Sequence, residues 1–250
     1  MASKVFIVTG ASRGLGLAVA QILLQESHKV FLVARTDKGM QALKTQHPSS
    51  VDFATADLTD FKIAPRIIES TVKAFGRIDG IVVNHGVMAP ITRISESNVE
   101  DWRHAYDANV FSALALLKEA IPELRKSKGR VVFVSSGAAV GAVAGWGSYG
   151  TSKAALTHLC AHLAVEEPSI TTTAISPGKV DTGMQKEIRD DGKTGMAPEV
   201  YASFVNEHET GRLLDPKKPG GVIAKLVVDA SRELNGKHYR WNSAELANFQ

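Results

Sequence analysis

The chain has 250 residues, 44% of them apolar and 22% charged, with a net charge of +3 and a single cysteine, Cys160. This composition fits one soluble α/β domain over 1–250 and excludes an intrachain disulfide scaffold, a disordered chain and a membrane helix, which needs about 18 consecutive apolar residues. The dispersed basic residues argue against nucleic acid as a partner, and the lone cysteine without a signal-peptide pattern points to a reducing, cytoplasmic setting.

In chain order, residues 4–9 read as a buried strand that runs into Gly10-Ala11-Ser12-Arg13-Gly14-Leu15-Gly16, and 17–25 continue as a helix. A second strand over 29–34 ends at Arg35, and a helix over 38–46 stops before Pro48. The third strand, 51–55, leads to Asp57-Leu58. Asp60 then caps a helix that tolerates Pro65 near its start and ends near Gly76. Residues 81–84 form a fourth strand. Asn98 caps a long helix through Trp102, Tyr106, Asn109 and Leu117, expected to stop near Pro122. Residues 131–134 are apolar without alternation, as in a strand buried on both faces, and end at Ser135-Ser136. A helix carrying Tyr149 runs to about Glu166, and a sixth strand over 171–175 precedes Ser176-Pro177-Gly178. From 179 to 219 periodicity fades, which predicts an irregular excursion with short helices. A helix over 221–230 and a strand over 238–241 follow.

Strands alternating with helices predict a doubly wound parallel sheet of about seven strands, with ligands bound at the carboxyl ends of the strands. Gly10, Arg35, Asp57, Asn84, Ser136 and Pro177 all fall at or just beyond such ends. Gly10, Gly14 and Gly16 suit a tight turn that lets backbone approach a pyrophosphate at a helix N-terminus. On a helix, Tyr149 and Lys153 project from one face, and an ammonium beside a phenol lowers its pKa from about 10. A serine hydroxyl from the preceding strand can bind the oxygen that such an acid protonates. That is the outline of carbonyl reduction. Sheets that bind NAD carry an acid about 20 residues past the glycine turn. Here that position is Ala34, followed by Arg35, with Arg13 inside the turn, so NADPH is expected over NADH. His158 and His162 lack a third ligand, so no metal site is assigned. The basic run 125–130 reads as a helix-end cluster.

The whole pattern resembles the short-chain dehydrogenase/reductase family in its shorter form. T-G-A-S-R-G-L-G at 9–16 matches the family's cofactor turn, so that Gly10, Ser12, Arg13, Gly14, Leu15 and Gly16 are expected cofactor contacts. Asp57, with Leu58, matches the adenine-contacting acid after the third strand. Asn84 and Gly86 lie where the family usually shows N-N-A-G, with the bulkier His85 in place of alanine. Pro177 and Gly178, with Val180 and Thr182, match the segment against the nicotinamide. Asn109, Ser136, Tyr149 and Lys153 match the catalytic residues, and the last two also contact cofactor. The glycine pair common near the family's C-terminus is missing after Tyr239.

The resemblance implies a Rossmann-type fold, NADPH/NADP+ as cofactor and a small-molecule carbonyl as substrate. Tyr149 is the general acid, Ser136 fixes the carbonyl oxygen, and Lys153 lowers the Tyr149 pKa and binds the ribose. Asn109 holds a water linking Lys153 to solvent. G-W-G-S-Y ending at Tyr149 and P-G-x-V-D-T-x-M at 177–184 are most similar to the sepiapterin-reductase-like branch that includes benzil reductases. A bulky hydrophobic ketone or 1,2-diketone is expected under an apolar lid of Trp146, Met184, Ile188, Met196 and Phe204. Leu114, Leu117, Leu156 and Leu159 exceed what one sheet face needs, which predicts a homodimer or homotetramer, and the resemblance implies pairing through the Asn98 and Tyr149 helices. The alternatives are a non-catalytic NADP-binding sensor or scaffold, and an alcohol dehydrogenase acting mainly in the oxidative direction.

Overall fold

The central strands carry apolar residues on both faces because each face meets its own core. In the computed structural model, which describes residues 3–250, one parallel sheet is built from β1 (Val5–Thr9), β2 (Lys29–Ala34), β3 (Val51–Thr55), β4 (Gly80–Val83), β5 (Arg130–Val134), β6 (Thr171–Ser176) and β7 (Lys237–Arg240). Its strand order is β3-β2-β1-β4-β5-β6-β7. Phe6, Val8, Val30, Leu32, Val132 and Val134 face one core, packed against helices α1 (Gly14–Gln25) and α9 (Lys217–Asp229). Ile7, Phe31, Val33, Val131 and Phe133 face the other, against α3 (Ile63–Phe75), α5 (Ser112–Ser127) and α6 (Gly147–Glu166). Helix α2 (Lys38–Gln46) adds Met40 and Leu43 to the first core. The order of connection reverses between β1 and β4, and a cleft opens there at the carboxyl edge of the sheet.

Helix α4 (Val99–Tyr106) starts where expected, with Asn98 accepting a hydrogen bond from the Glu100 N–H at 3.0 Å. Four other expectations are corrected. The helix is broken by a one-turn π segment, Asp107–Phe111, and α5 then runs through Pro122 to Ser127. Burial of Leu116, Ala120 and Leu124 along one face outweighs the backbone bond that Pro122 lacks. Asp60 forms a turn with the Lys62 N–H at 3.2 Å, and Lys62 occupies the cap of α3. The excursion is more regular than its composition predicts: α7 (Gly183–Gly195) and α8 (Pro198–Glu209) are 13- and 12-residue helices, and α9 already begins at Lys217. Finally, Leu117 and Leu156 lie in the core and Leu159 packs against it, so only Leu114 of the four leucines is exposed.

Candidate active site

The glycine turn sits over the switch point. Gly10 and Gly14 take φ of +64° and +56°, values that side chains other than glycine rarely adopt. A Cβ on Gly10 would lie 2.8 Å from the Asn84 Nδ2 and 3.0 Å from the His85 Cα. Asn84 pins this turn by donating to the Thr9 carbonyl at 3.0 Å and the Gly10 carbonyl at 3.2 Å. Helix α1 then begins with neither a side-chain cap nor an acid in its first turn. Its free N–H groups face the cleft, a site suited to a diphosphate. Gly16 plays a different part. It does not line the cleft, and a Cβ there would press to 2.4 Å from the Gly10 carbonyl, so it lets the helix pack under the turn.

The cleft holds about 1220 Å³ and is lined by Ser12, Arg13, Leu15, Arg35, Asp57, Leu58, Gly86, Ser136, Tyr149, Lys153, Pro177, Gly178, Val180 and Thr182, along with Gly10, Gly14 and Asn84. This is room for a dinucleotide and a substrate together. Asp57 accepts from the Thr59 N–H at 2.9 Å and its hydroxyl at 2.8 Å. These bonds, followed by the charges of Arg35 and His104, hold its carboxyl below the usual range against the opposing effect of burial. Arg35 is exposed at the rim. Arg13 is turned toward Glu187 on α7 at 3.7 Å, a loose pair in solvent that the sequence pattern did not signal.

At the other end, α6 places Tyr149 and Lys153 on one buried face. The Lys153 ammonium donates to the Val134 carbonyl at 2.8 Å and lies 5.8 Å from the centre of the Tyr149 ring. Burial alone brings its pKa down to about 8. The expectation of a Tyr149 pKa below its ordinary value is corrected here. Burial pushes the phenol up, opposed in smaller measure by the Ser136 hydroxyl beside it. Ser136 also accepts from the Ala138 N–H at 3.1 Å, which orients the hydroxyl at the end of β5.

Asn109 does not line the cleft. The π segment turns it inward, where its Oδ1 accepts from the Val87 N–H at 2.7 Å and its Nδ2 donates to the Val87 carbonyl at 3.0 Å and the Ser152 hydroxyl at 2.9 Å. Ser152 in turn donates to the Tyr149 carbonyl at 2.7 Å. Neither the π segment nor Ser152 was read from the sequence. A π turn differs from an α-helix by one inserted residue and leaves no compositional mark.

Over Tyr149 stands an apolar wall. Trp146 packs edge-on to Tyr149 with ring centres 5.8 Å apart, and Phe204 lies 5.4 Å from Trp146. Met184 and Ile188 complete the lining, whereas Met196 faces away from the cleft and anchors α7 to α8. No helix among the described residues is long and apolar enough to cross a membrane.

Backbone ready for phosphate at one end of a cleft, and a buried phenol beside an ammonium at the other, are the parts of an oxidoreductase of the dinucleotide-binding class. The chain belongs to the short-chain dehydrogenase family, whose model, described as short chain dehydrogenase, matches residues 4–193. It is 39% identical to the benzil reductase ((S)-benzoin forming) of Saccharomyces cerevisiae over 99% of both chains. Among solved structures, a short-chain dehydrogenase/reductase of Saccharomyces cerevisiae superposes with a TM-score of 0.96 at 37% identity, covering 99% of this chain and all of that one. The KRED1-Pglu enzyme superposes at 0.92 with 42% identity, covering 95% of this chain and all of that one.

Proposed function

We propose that this protein is a cytoplasmic, NADPH-dependent carbonyl reductase that acts on bulky hydrophobic ketones, 1,2-diketones among them. The observation that carries the reading is the convergence of Tyr149, Ser136 and Lys153 beneath an apolar wall at one end of the cleft. The similarity to a benzil reductase along the whole chain supports the substrate class.

The residues divide the work as follows. A bound nicotinamide dinucleotide supplies the hydride. Backbone N–H groups at the start of α1 and the Ser12 hydroxyl hold its diphosphate, Asp57 and Leu58 bracket the adenine, and Arg13 and Arg35 favour a 2′-phosphate. Gly86, Pro177, Gly178, Val180 and Thr182 form the bed beside the reacting ring. Tyr149 donates its proton to the carbonyl oxygen as charge builds there, and its raised pKa keeps it protonated at neutral pH. Ser136 donates a hydrogen bond to the same oxygen. Lys153 stabilises the phenolate left behind and binds ribose hydroxyls. Asn109 fixes Val87 and Ser152, and so keeps a proton path open to Lys153. The enzyme works as a homodimer or homotetramer through α5 and α6, where Leu114 and Val165 are exposed.

The test is NADPH oxidation by the purified protein across benzil, other 1,2-diketones, aldehydes and pterins. Benzil-type diketones are expected to be reduced fastest. Tight NADPH binding with no turnover of any carbonyl would favour the sensor reading instead.

A further inference from the structure

His85 lines the cleft between Asn84 and Gly86. Its Nδ1 lies 2.7 Å from the Thr9 hydroxyl at the end of β1, and its Nε2 lies 2.7 Å from the Ser112 hydroxyl at the start of α5. We propose that His85 is a positioning residue, a strut whose imidazole joins β1 to α5 and fixes the 84–87 segment beneath the cofactor. The proposal rests on the reading of the cleft as a nicotinamide dinucleotide site.

Each hydroxyl is itself tied to backbone. The Thr9 hydroxyl donates to the Val82 carbonyl at 3.1 Å and accepts from the Asn84 N–H at 2.9 Å. The Ser112 hydroxyl donates to the Ala108 carbonyl at 2.7 Å, one residue before Asn109. One ring therefore meets the last turn of β1, the end of β4 and the π segment that presents Asn109. Asn84 grips the glycine turn at the start of the 84–87 segment, and Asn109 grips Val87 at its end. His85 is the cross-brace between these two holds.

The tolerance at this point is small. A Cβ on Gly86 would lie 3.1 Å from the Asn109 Oδ1 and 3.4 Å from the Lys153 Nζ, so a shift of the segment by a few tenths of an ångström reaches the residues that hold Lys153 and Tyr149. Burial, followed by the Lys153 charge, brings the His85 pKa down to about 3 against the opposing pull of Asp57. At neutral pH the ring thus has one N–H donor and one acceptor nitrogen, so one hydroxyl turns its single proton from its backbone carbonyl to the ring while the other accepts from the ring and keeps its carbonyl bond.

The test compares His85→Ala, Ser112→Ala and the double variant. Ser112→Ala deletes only a hydroxyl and guards against a His85→Ala protein that does not fold. NADPH affinity is measured by equilibrium fluorescence titration, single-turnover benzil reduction by stopped flow, and the apo-protein ring by ¹⁵N imidazole NMR, with His85→Ala as the assignment control. Loss of one brace bond is expected to weaken NADPH binding and slow turnover by about 3- to 10-fold. The double variant should be no worse than the poorer single variant, since both cut the same strut. The wild-type ring should show one fixed neutral tautomer from about pH 5.5 to 8.5, and its shifts should move in Ser112→Ala. A ring that titrates within that range, tautomers in free exchange, or additive effects of the two substitutions would overturn the strut. Should wild-type protein fail to bind NADPH, the cofactor reading falls, and the NMR measurement on the apo protein still decides the strut.

Discussion

Lys153 donates to the Val134 carbonyl at 2.8 Å, and this one bond fastens the helix that carries Tyr149 to the strand that delivers Ser136. Tyr149, the proposed acid, and Ser136, proposed to orient its target, are thereby held on two elements locked at their meeting point. The ammonium doing the locking is wholly buried, and it destabilises the fold while serving the site.

That cost is measurable. The Lys153 pKa falls from 10.5 to about 8 on folding, a penalty on the charged form of about 3 kcal/mol. Between those two values the unfolded chain holds the proton that the folded chain releases, so stability rises with pH there; below about 8 the penalty is present in full. Lys153→Met removes it, while leaving the Val134 carbonyl without its partner at a cost of about 1 kcal/mol. The variant should therefore melt roughly 4–8 °C higher at pH 7 and be inactive, as followed by calorimetry and NADPH oxidation. A lower melting temperature would contradict the burial penalty.

The same group sets the pH dependence of reduction. Tyr149 must be protonated to act, and burial keeps it so well above neutrality. Lys153 must be charged, and it loses its proton near pH 8. The rate of reduction should be level from about pH 6 to 7.5 and fall above 8. In Lys153→Arg the residual rate should show no such fall, because a guanidinium does not titrate in this range. His85, held near 3, adds no step.

Cofactor choice turns on the rim of the cleft. Ala34 offers no carboxylate to repel a 2′-phosphate, and Arg35 is exposed beside it. Charge-assisted bonds contribute roughly 1.5–3 kcal/mol each, so NADPH should be preferred by about one to two orders of magnitude in kcat/KM. Ala34→Asp combined with Arg35→Ala should shift the preference toward NADH. Arg13, already facing Glu187, should matter less, and Arg13→Ala should cost under tenfold. Equal use of both cofactors by the wild type would refute this account of the rim.

The apolar wall should determine which carbonyls bind. Trp146 packs against both Tyr149 and Phe204, so Trp146→Ala removes one wall and unsettles another. KM for aromatic diketones is expected to rise about 10-fold or more, with a much smaller effect on small aliphatic ketones. An equal loss on both classes would show that Trp146 supports Tyr149 without selecting substrate.

Much of this site was legible in the sequence, because the chemistry sits where strands end, and strand ends are marked by glycine, asparagine, serine and proline. Gly10, Asn84, Ser136 and Pro177 were found in that way, and all four line the cleft. Contacts made by tertiary packing were less visible. Helix α5 passes Pro122 because Leu124 must reach the core, and α7 and α8 form although their charges obscure the period. The leucine surplus misled, since Leu117 and Leu156 are spent on the sheet face. The direction of the Tyr149 shift was also misread, because burial of a phenol, unlike the spacing of a Tyr and a Lys, is not written in adjacent residues.

The central claim is that Tyr149 delivers the proton. Tyr149→Phe preserves the ring that packs on Trp146 and removes only the hydroxyl. NADPH affinity and the single-turnover rate of benzil reduction should be measured on the same preparation. Affinity within a few-fold of wild type, with a rate lower by about 10²–10⁴, is the predicted result. A variant that reduces benzil within a few-fold of the wild-type rate would contradict the assignment.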